Sequence, residues 1–133
     1  MKKIPFCILA LCFIFFGCKT VSKIEEPKKY HDIELICGNE STVIAGKNIS
    51  SVLIVMDPKT NKRQIVEVHF DETGVKTANS IIKRNLGSDL SVLIPGRILL
   101  VGRMNEEIED GKISISSYSQ GVAEEIVELL TKR

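Results

Sequence analysis

Gly17-Cys18 is the one place in this sequence where residue type and position together specify a reaction. A small residue directly before a cysteine, at the end of an apolar run, is the pattern of a bacterial lipoprotein cleavage site. The thiol takes a diacylglycerol, and the peptidase that cuts before the cysteine needs a small side chain at Gly17. The run itself comprises thirteen residues, 4–16, behind the positive start Met1-Lys2-Lys3. That is too short for a transmembrane helix, which needs roughly twenty residues, and suits the core of a secretory signal. Phe15 and Phe16 depart from the aliphatic and small residues usual before such a cysteine. Lipidation at Cys18 is the expectation. Ordinary secretion and an uncleaved N-terminal anchor remain as alternatives, and all three export the rest of the chain.

No other group of residues reads as an active site. Cys7 and Cys12 would leave with the leader and Cys18 would carry lipid, which leaves Cys37 alone. It has no partner for an internal disulfide and no metal-ligand spacing. In Ile33-Glu34-Leu35-Ile36-Cys37 it alternates with Ile33 and Leu35, as a small core side chain does; a reactive thiol is the other reading. His31 and His69 are too few and too scattered for a metal site. His69 shares the outward face of its strand with Glu67, where a cross-strand surface pair is expected. Glu106-Glu107 and Glu124-Glu125 are sequence neighbours, which point apart on a helix and make no acid/base dyad. The serines among residues 114–119 have no foreseeable histidine partner and fit a polar sheet face and a helix cap. The glycines occur singly, in turns, so no phosphate loop is present. Asn39-Glu40-Ser41 and Asn48-Ile49-Ser50 match the glycosylation pattern but are set aside, because the lipoprotein signal points to a bacterium. The expectation is no enzyme, no cofactor, no metal and no small-molecule substrate.

Charge points the same way. Without Lys2 and Lys3, sixteen basic residues face seventeen acidic ones, interspersed along the chain. Such a balance argues against nucleic acid as partner. Lys19, Lys23, Lys28 and Lys29 lie close to the anchor, diluted by Glu25 and Glu26; a solvated tether is the preferred reading over contact with anionic head groups.

These residues must be positioned by a small set of elements. Residues 1–17 are the signal peptide, 18–30 a polar tether containing Pro27, and 31–133 one folded domain. Apolar runs at 33–37 and 52–56 are separated by turns at Gly38-Asn39-Glu40-Ser41 and Gly46-Lys47-Asn48. The near-continuous Val52-Leu53-Ile54-Val55-Met56 predicts a strand buried on both sides. It should form a hairpin with 65–70 across the turn at 57–62. Asp71 is placed to cap a helix running to about Asn85, with Val75, Ala78, Ile82 and Leu86 as its apolar stripe. Gly87 stands where a left-handed C-cap is wanted. Leu90, Val92 and Ile94 alternate up to the turn Pro95-Gly96, and Ile98 and Leu100 continue on the returning strand. Residues 104–109 are ambiguous between short helix and loop. Asp110-Gly111 turns into a strand with Ile113 and Ile115, and Ser119 caps a last helix that buries Val122, Ala123, Ile126, Val127 and Leu130. The fold class is therefore α+β, an antiparallel or mixed sheet with two helices packed on one face.

In order and spacing these elements resemble the periplasmic head subdomain of SecD, a subunit of the protein-export machinery. The positions that carry the resemblance are Phe70, Asp71 with Gly74, Asn85-Leu86-Gly87, the strand at 90–94, Gly96, the strand at 98–101, Ile108, Gly111, Ile115, Tyr118-Ser119 and Ala123. The match needs almost no gaps across residues 66–130, and the family's preceding hairpin has its counterpart from about Ile33. The sequence departs from the family at Ala78, where an aromatic is usual, at Ile82, where Thr is, and at Leu100-Val101-Gly102, which replaces Ser-Ala-Pro. The membrane helices that carry the family's proton path have no counterpart in this sequence. The resemblance thus implies the fold and an extracytoplasmic setting, and gives energy coupling no support.

Together these readings describe a non-catalytic, lipid-anchored protein on the extracytoplasmic side of a bacterial envelope. Its partners would be the membrane, through the lipid on Cys18, and unfolded or envelope proteins, bound by strand addition at an exposed sheet edge such as that at 113–117. The alternative is a structural or surface-exposed lipoprotein that reuses the fold with no role in export.

Overall fold

The computed structural model describes residues 29–59, 63–117 and 119–132. The leader, Cys18, the tether up to residue 28 and Tyr118 lie outside the described residues.

Seven strands and two helices follow one another as β1 (Ile33–Cys37), β2 (Glu40–Ile44), β3 (Ile49–Met56), β4 (Gln64–Phe70), α1 (Glu72–Ile82), β5 (Asp89–Ile94), β6 (Arg97–Arg103), β7 (Lys112–Ser117) and α2 (Gln120–Leu130). All described strand pairs are antiparallel, and the class is α+β as the sequence implies. The strands divide, however, into two sheets rather than one: a four-stranded sheet ordered β2-β1-β5-β6 and a three-stranded sheet ordered β3-β4-β7. Helix α1 packs chiefly on β2 and β1, and α2 on β4, β3 and β7. The inner faces of both sheets and the two helices share one core, including Leu35, Val66, Val68, Ile82, Leu90, Val92, Ile115 and Ile126.

Local chemistry accounts for the helix starts. Asp71 accepts a hydrogen bond from the Gly74 amide at 2.8 Å, and Ser119 Oγ accepts one from Val122 at 3.3 Å; each is a side-chain oxygen satisfying an amide that has no partner within the helix. Asn48 donates to the other Asp71 oxygen at 3.0 Å. This bond first, and the Gly74 amide second, hold the Asp71 carboxyl below its usual range. The α1 stripe is buried at Ala78, Ile81 and Ile82. The helix ends at Ile82, earlier than the periodicity suggests, and Leu86 lies exposed in the turn that follows. Gly87, at φ +90°, serves that later turn. Its N–H donates to Met104 O at 2.7 Å, tying α1's exit to the end of β6.

One further expectation changes, and two open points are decided. Strand β3 is an edge, not a buried centre: Leu53 and Met56 are about half exposed. A continuous apolar run cannot distinguish a strand covered on both faces from one covered by a single helix. Ile98 and Leu100 point outward, while Leu99 and Val101 pack against the core. The two-residue turn decides this: Ile94 pairs with Arg97 and Leu93 with Ile98, so an inward Ile94 forces Ile98 outward. Residues 104–110 form a loop, pinned by Asn79. Asn79 donates to Ile108 O at 3.0 Å and accepts from Ile108 N at 2.8 Å, which places Ile108 in the core.

Candidate functional site

The outer face of the four-stranded sheet is the most unusual surface of the described residues. Register aligns Val43, Glu34, Leu93 and Ile98 in one row across β2, β1, β5 and β6. The adjacent row is Ser41, Ile36, Ser91 and Leu100. Val43 is 55% exposed, Leu93 36%, Ile98 67% and Leu100 63%. These make four of the seven large exposed apolar residues of the described chain, gathered on one face. Scattered exposed leucines need no explanation, but a contiguous apolar patch marks a contact surface. Beside it runs β6, an edge strand with the sequence Arg-Ile-Leu-Leu-Val-Gly-Arg. Its outer main-chain groups pair with no further strand of that sheet, although β6 lies close to β7 of the other one; an edge left unpaired in this way can accept an added strand.

The sequence-predicted chemical residues do not converge. Cys37 is buried; its thiol lies 3.8 Å from Asn85 O, and burial first, then Asp89 and Glu40, push its pKa up. A buried, protonated thiol is a core side chain, not a nucleophile. His69 lies 3.1 Å from Glu67 on the same strand, and Lys112 on β7 reaches the other Glu67 oxygen at 2.8 Å. The partner of His69 is therefore on its own strand, and the cross-strand contact is the one between Glu67 and Lys112. The Lys112 hydrogen bond, then that of His69, lowers the Glu67 pKa against the opposing effect of burial. Glu124 accepts from Gln120 at 3.0 Å and Glu125 from Arg97 at 2.8 Å, so the neighbouring carboxylates have separate partners. Glu106 and Glu107 sit exposed in the 104–110 loop. Ser114 and Ser116 are exposed, Ser117 donates to Gln64 O at 3.1 Å, and Ser119 is the cap. Among the described residues no group of three His, Cys, Asp or Glu is placed to hold a metal ion, and no helix is long and apolar enough to cross a membrane.

In comparison with known proteins, the family model for the P1 head subdomain of SecDF matches residues 23–132. The chain belongs to the SecDF P1 head subdomain family. It is also similar to the protein translocase subunit SecD of Acidaminococcus fermentans, 25% identical over 92 residues. That alignment covers 69% of this chain and 22% of the relative, so the chain corresponds to about a fifth of that protein. No solved structure matches.

The head-subdomain positions in this chain are structural. Phe70 N donates to Gly111 O at 2.8 Å, joining the end of β4 to the turn before β7. A Cβ on Gly74 would come within 2.9 Å of Phe70 Cβ and 3.0 Å of Asn48 O. Gly96 takes φ +79° behind Pro95, the geometry of a type II turn. Ala123 is fully buried. Such a motif identifies the head fold through its turns and close contacts and leaves the contact surface unspecified. That surface was missed by periodicity alone; counting residues across the Pro95-Gly96 turn would have found it.

Proposed function

We propose that this protein is a non-catalytic, lipid-anchored envelope protein whose SecD-head-like domain binds extended polypeptide in the course of protein export. The observation that carries the reading is the apolar outer face of the four-stranded sheet, which runs out onto the edge strand β6. An extended chain laid along β6 gains main-chain hydrogen bonds whatever its sequence, and alternate apolar side chains fall toward Leu93, Ile98 and Leu100. β7, the edge suggested by sequence, turns serines outward and keeps Ile113 and Ile115 buried, so it offers less. The relative is by name a protein translocase subunit, and that is the support for export as the setting. A lipid on Cys18 would hold the domain on the extracytoplasmic side.

The test is a photo-crosslinkable residue placed in the full chain at Ile98, with Ser114 as the control position, irradiated in intact envelope. Adducts with exported or envelope polypeptides at 98 and none at 114 are expected. Unfolded exported chains added in excess should compete with them. Equal labelling at both positions, or none at 98, would return the protein to the structural lipoprotein reading.

A further inference from the structure

Three segments distant in sequence meet at the end of the domain where the chain enters. Lys132 N donates to Lys29 O at 2.8 Å, and His31 N donates to Leu130 O at 2.8 Å, around the bridge between Tyr30 and Thr131. The 3-10 turn Gly46–Asn48 closes against the same arm: Gly46 N donates to Asp32 Oδ1 at 2.7 Å. Gly46 lies so close to the Tyr30 carbonyl that a Cβ would come within 1.8 Å of it. The groove left between them, about 490 Å³, is lined by Lys29, Tyr30, Gly46, Lys47, Ile49, Ser50 and Lys132. Its floor is apolar, since Tyr30 and Ile49 belong to the core, and its three lysines are exposed.

These lysines form no close ion pair, although Lys47 lies near enough to Asp71 to help lower its pKa. Lys76, Arg84, Arg97 and Lys112 each have an acidic partner within 3.3 Å. Among the described residues none of Lys29, Lys47 and Lys132 takes part in an ion pair, and no carboxylate lines the groove. We propose that this groove is a docking surface for an anionic lipid bilayer, seating Lys29, Lys47 and Lys132 among the head groups. Two observations select a bilayer as the occupant. The groove is positive with an apolar floor, complementary to anionic head groups above acyl chains. It is also where the chain arrives from Cys18, eleven residues earlier, carrying Lys19, Lys23 and Lys28 against Glu25 and Glu26 on the way. That length spans at most about 40 Å when fully extended, so a lipid on Cys18 would hold the domain by this end within that distance of the membrane, at high effective concentration. The inference rests on the anchoring part of the reading above, not on polypeptide binding.

Lysine acylation mapped by mass spectrometry tests it, on the full chain with vesicles of phosphatidylcholine alone or with about 30% phosphatidylglycerol. Anionic vesicles should slow acylation of Lys29, Lys47 and Lys132 about fivefold relative to neutral ones and leave Lys59 and Lys83 unchanged. High salt should abolish the difference, and the pair Lys47→Glu with Lys132→Glu should remove the protection at Lys29. Equal rates in the two vesicles overturn the proposal. Equal protection by inorganic phosphate without lipid overturns it too, in favour of a free-anion site. Flotation with neutral vesicles reads the anchor separately: a chain that fails to float yet is protected by added anionic vesicles has lost the lipid and kept the docking surface.

Discussion

Asn79 is the side chain whose role is plainest at the scale of single residues. It pairs both its donor and its acceptor with the backbone of Ile108 and so turns a polar loop into a lid on the core. Asn79→Ala should cost about 1–3 kcal/mol in urea unfolding, because it leaves two backbone groups unpartnered. Amide exchange should rise first in residues 104–110. The Glu67 cluster carries a pH dependence. Lys112 and His69 lower the Glu67 pKa, so the folded state holds the ionised carboxylate more strongly than the unfolded chain does. That contribution is fully present above the unfolded value of about 4.3 and is lost as pH falls through the folded one. Glu67→Gln should therefore flatten the stability profile below about pH 4.3, measured by thermal melts across pH; an unchanged acid limb would assign it to other carboxylates, such as Asp71. Cys18 stands at the same scale. Intact mass of envelope material should show a mature chain beginning at acylated Cys18, and Cys18→Ser should abolish both processing and membrane association.

Elements are held by the faces they bury. Ile126 is 1% exposed on the inner side of α2, whereas Glu125 faces outward to Arg97. Ile126→Ala should cost about 2–5 kcal/mol. Glu125→Ala should cost at most about 1 kcal/mol, since its ion pair is solvent-exposed. Equal small losses would mean that α2 does not pack against the three-stranded sheet. The entry arm is more brittle. Gly46 has no positive φ to excuse it, yet its Cα faces the Tyr30 carbonyl with no room for a methyl group. Gly46→Ala should cost at least about 1–3 kcal/mol and release Tyr30 from the bridge to Thr131, visible as a loss of protection at the His31 amide. The glycine before a short turn reads as turn chemistry in sequence; the close approach that requires it is tertiary.

At the scale of the whole molecule, stability and binding should separate. The outward positions of β6 contribute little to the core, so Ile98→Lys with Leu100→Lys should leave stability within about 1 kcal/mol. The same pair should remove binding of unfolded chains. If the double variant unfolds the domain, β6 is part of the core and the contact surface must be sought elsewhere; if it folds and still binds, the apolar face is not the site. The basic groove and the apolar face are independent surfaces, and the Lys47→Glu, Lys132→Glu pair should leave polypeptide binding unchanged.

The sequence by itself determined the elements and the family. Turn residues such as Gly38, Pro95-Gly96 and Asp110-Gly111, the caps Asp71 and Ser119, and the alternation of Leu90, Val92 and Ile94 act over a few residues, so local chemistry dictates them. The order of those signals is what makes the chain legible as a SecD head. What the fold alone decided is which apolar residues face water and which charges meet. Val52-Leu53-Ile54-Val55-Met56 and Ile98-Leu99-Leu100-Val101 look alike as strings, and only the partition into two sheets gives each run one covered face. Lys29, Lys47 and Lys132 share a groove because the entry arm pairs with the exit of α2. Contacts between residues a hundred positions apart are set by the free energy of the whole packed core, which no window along the chain contains.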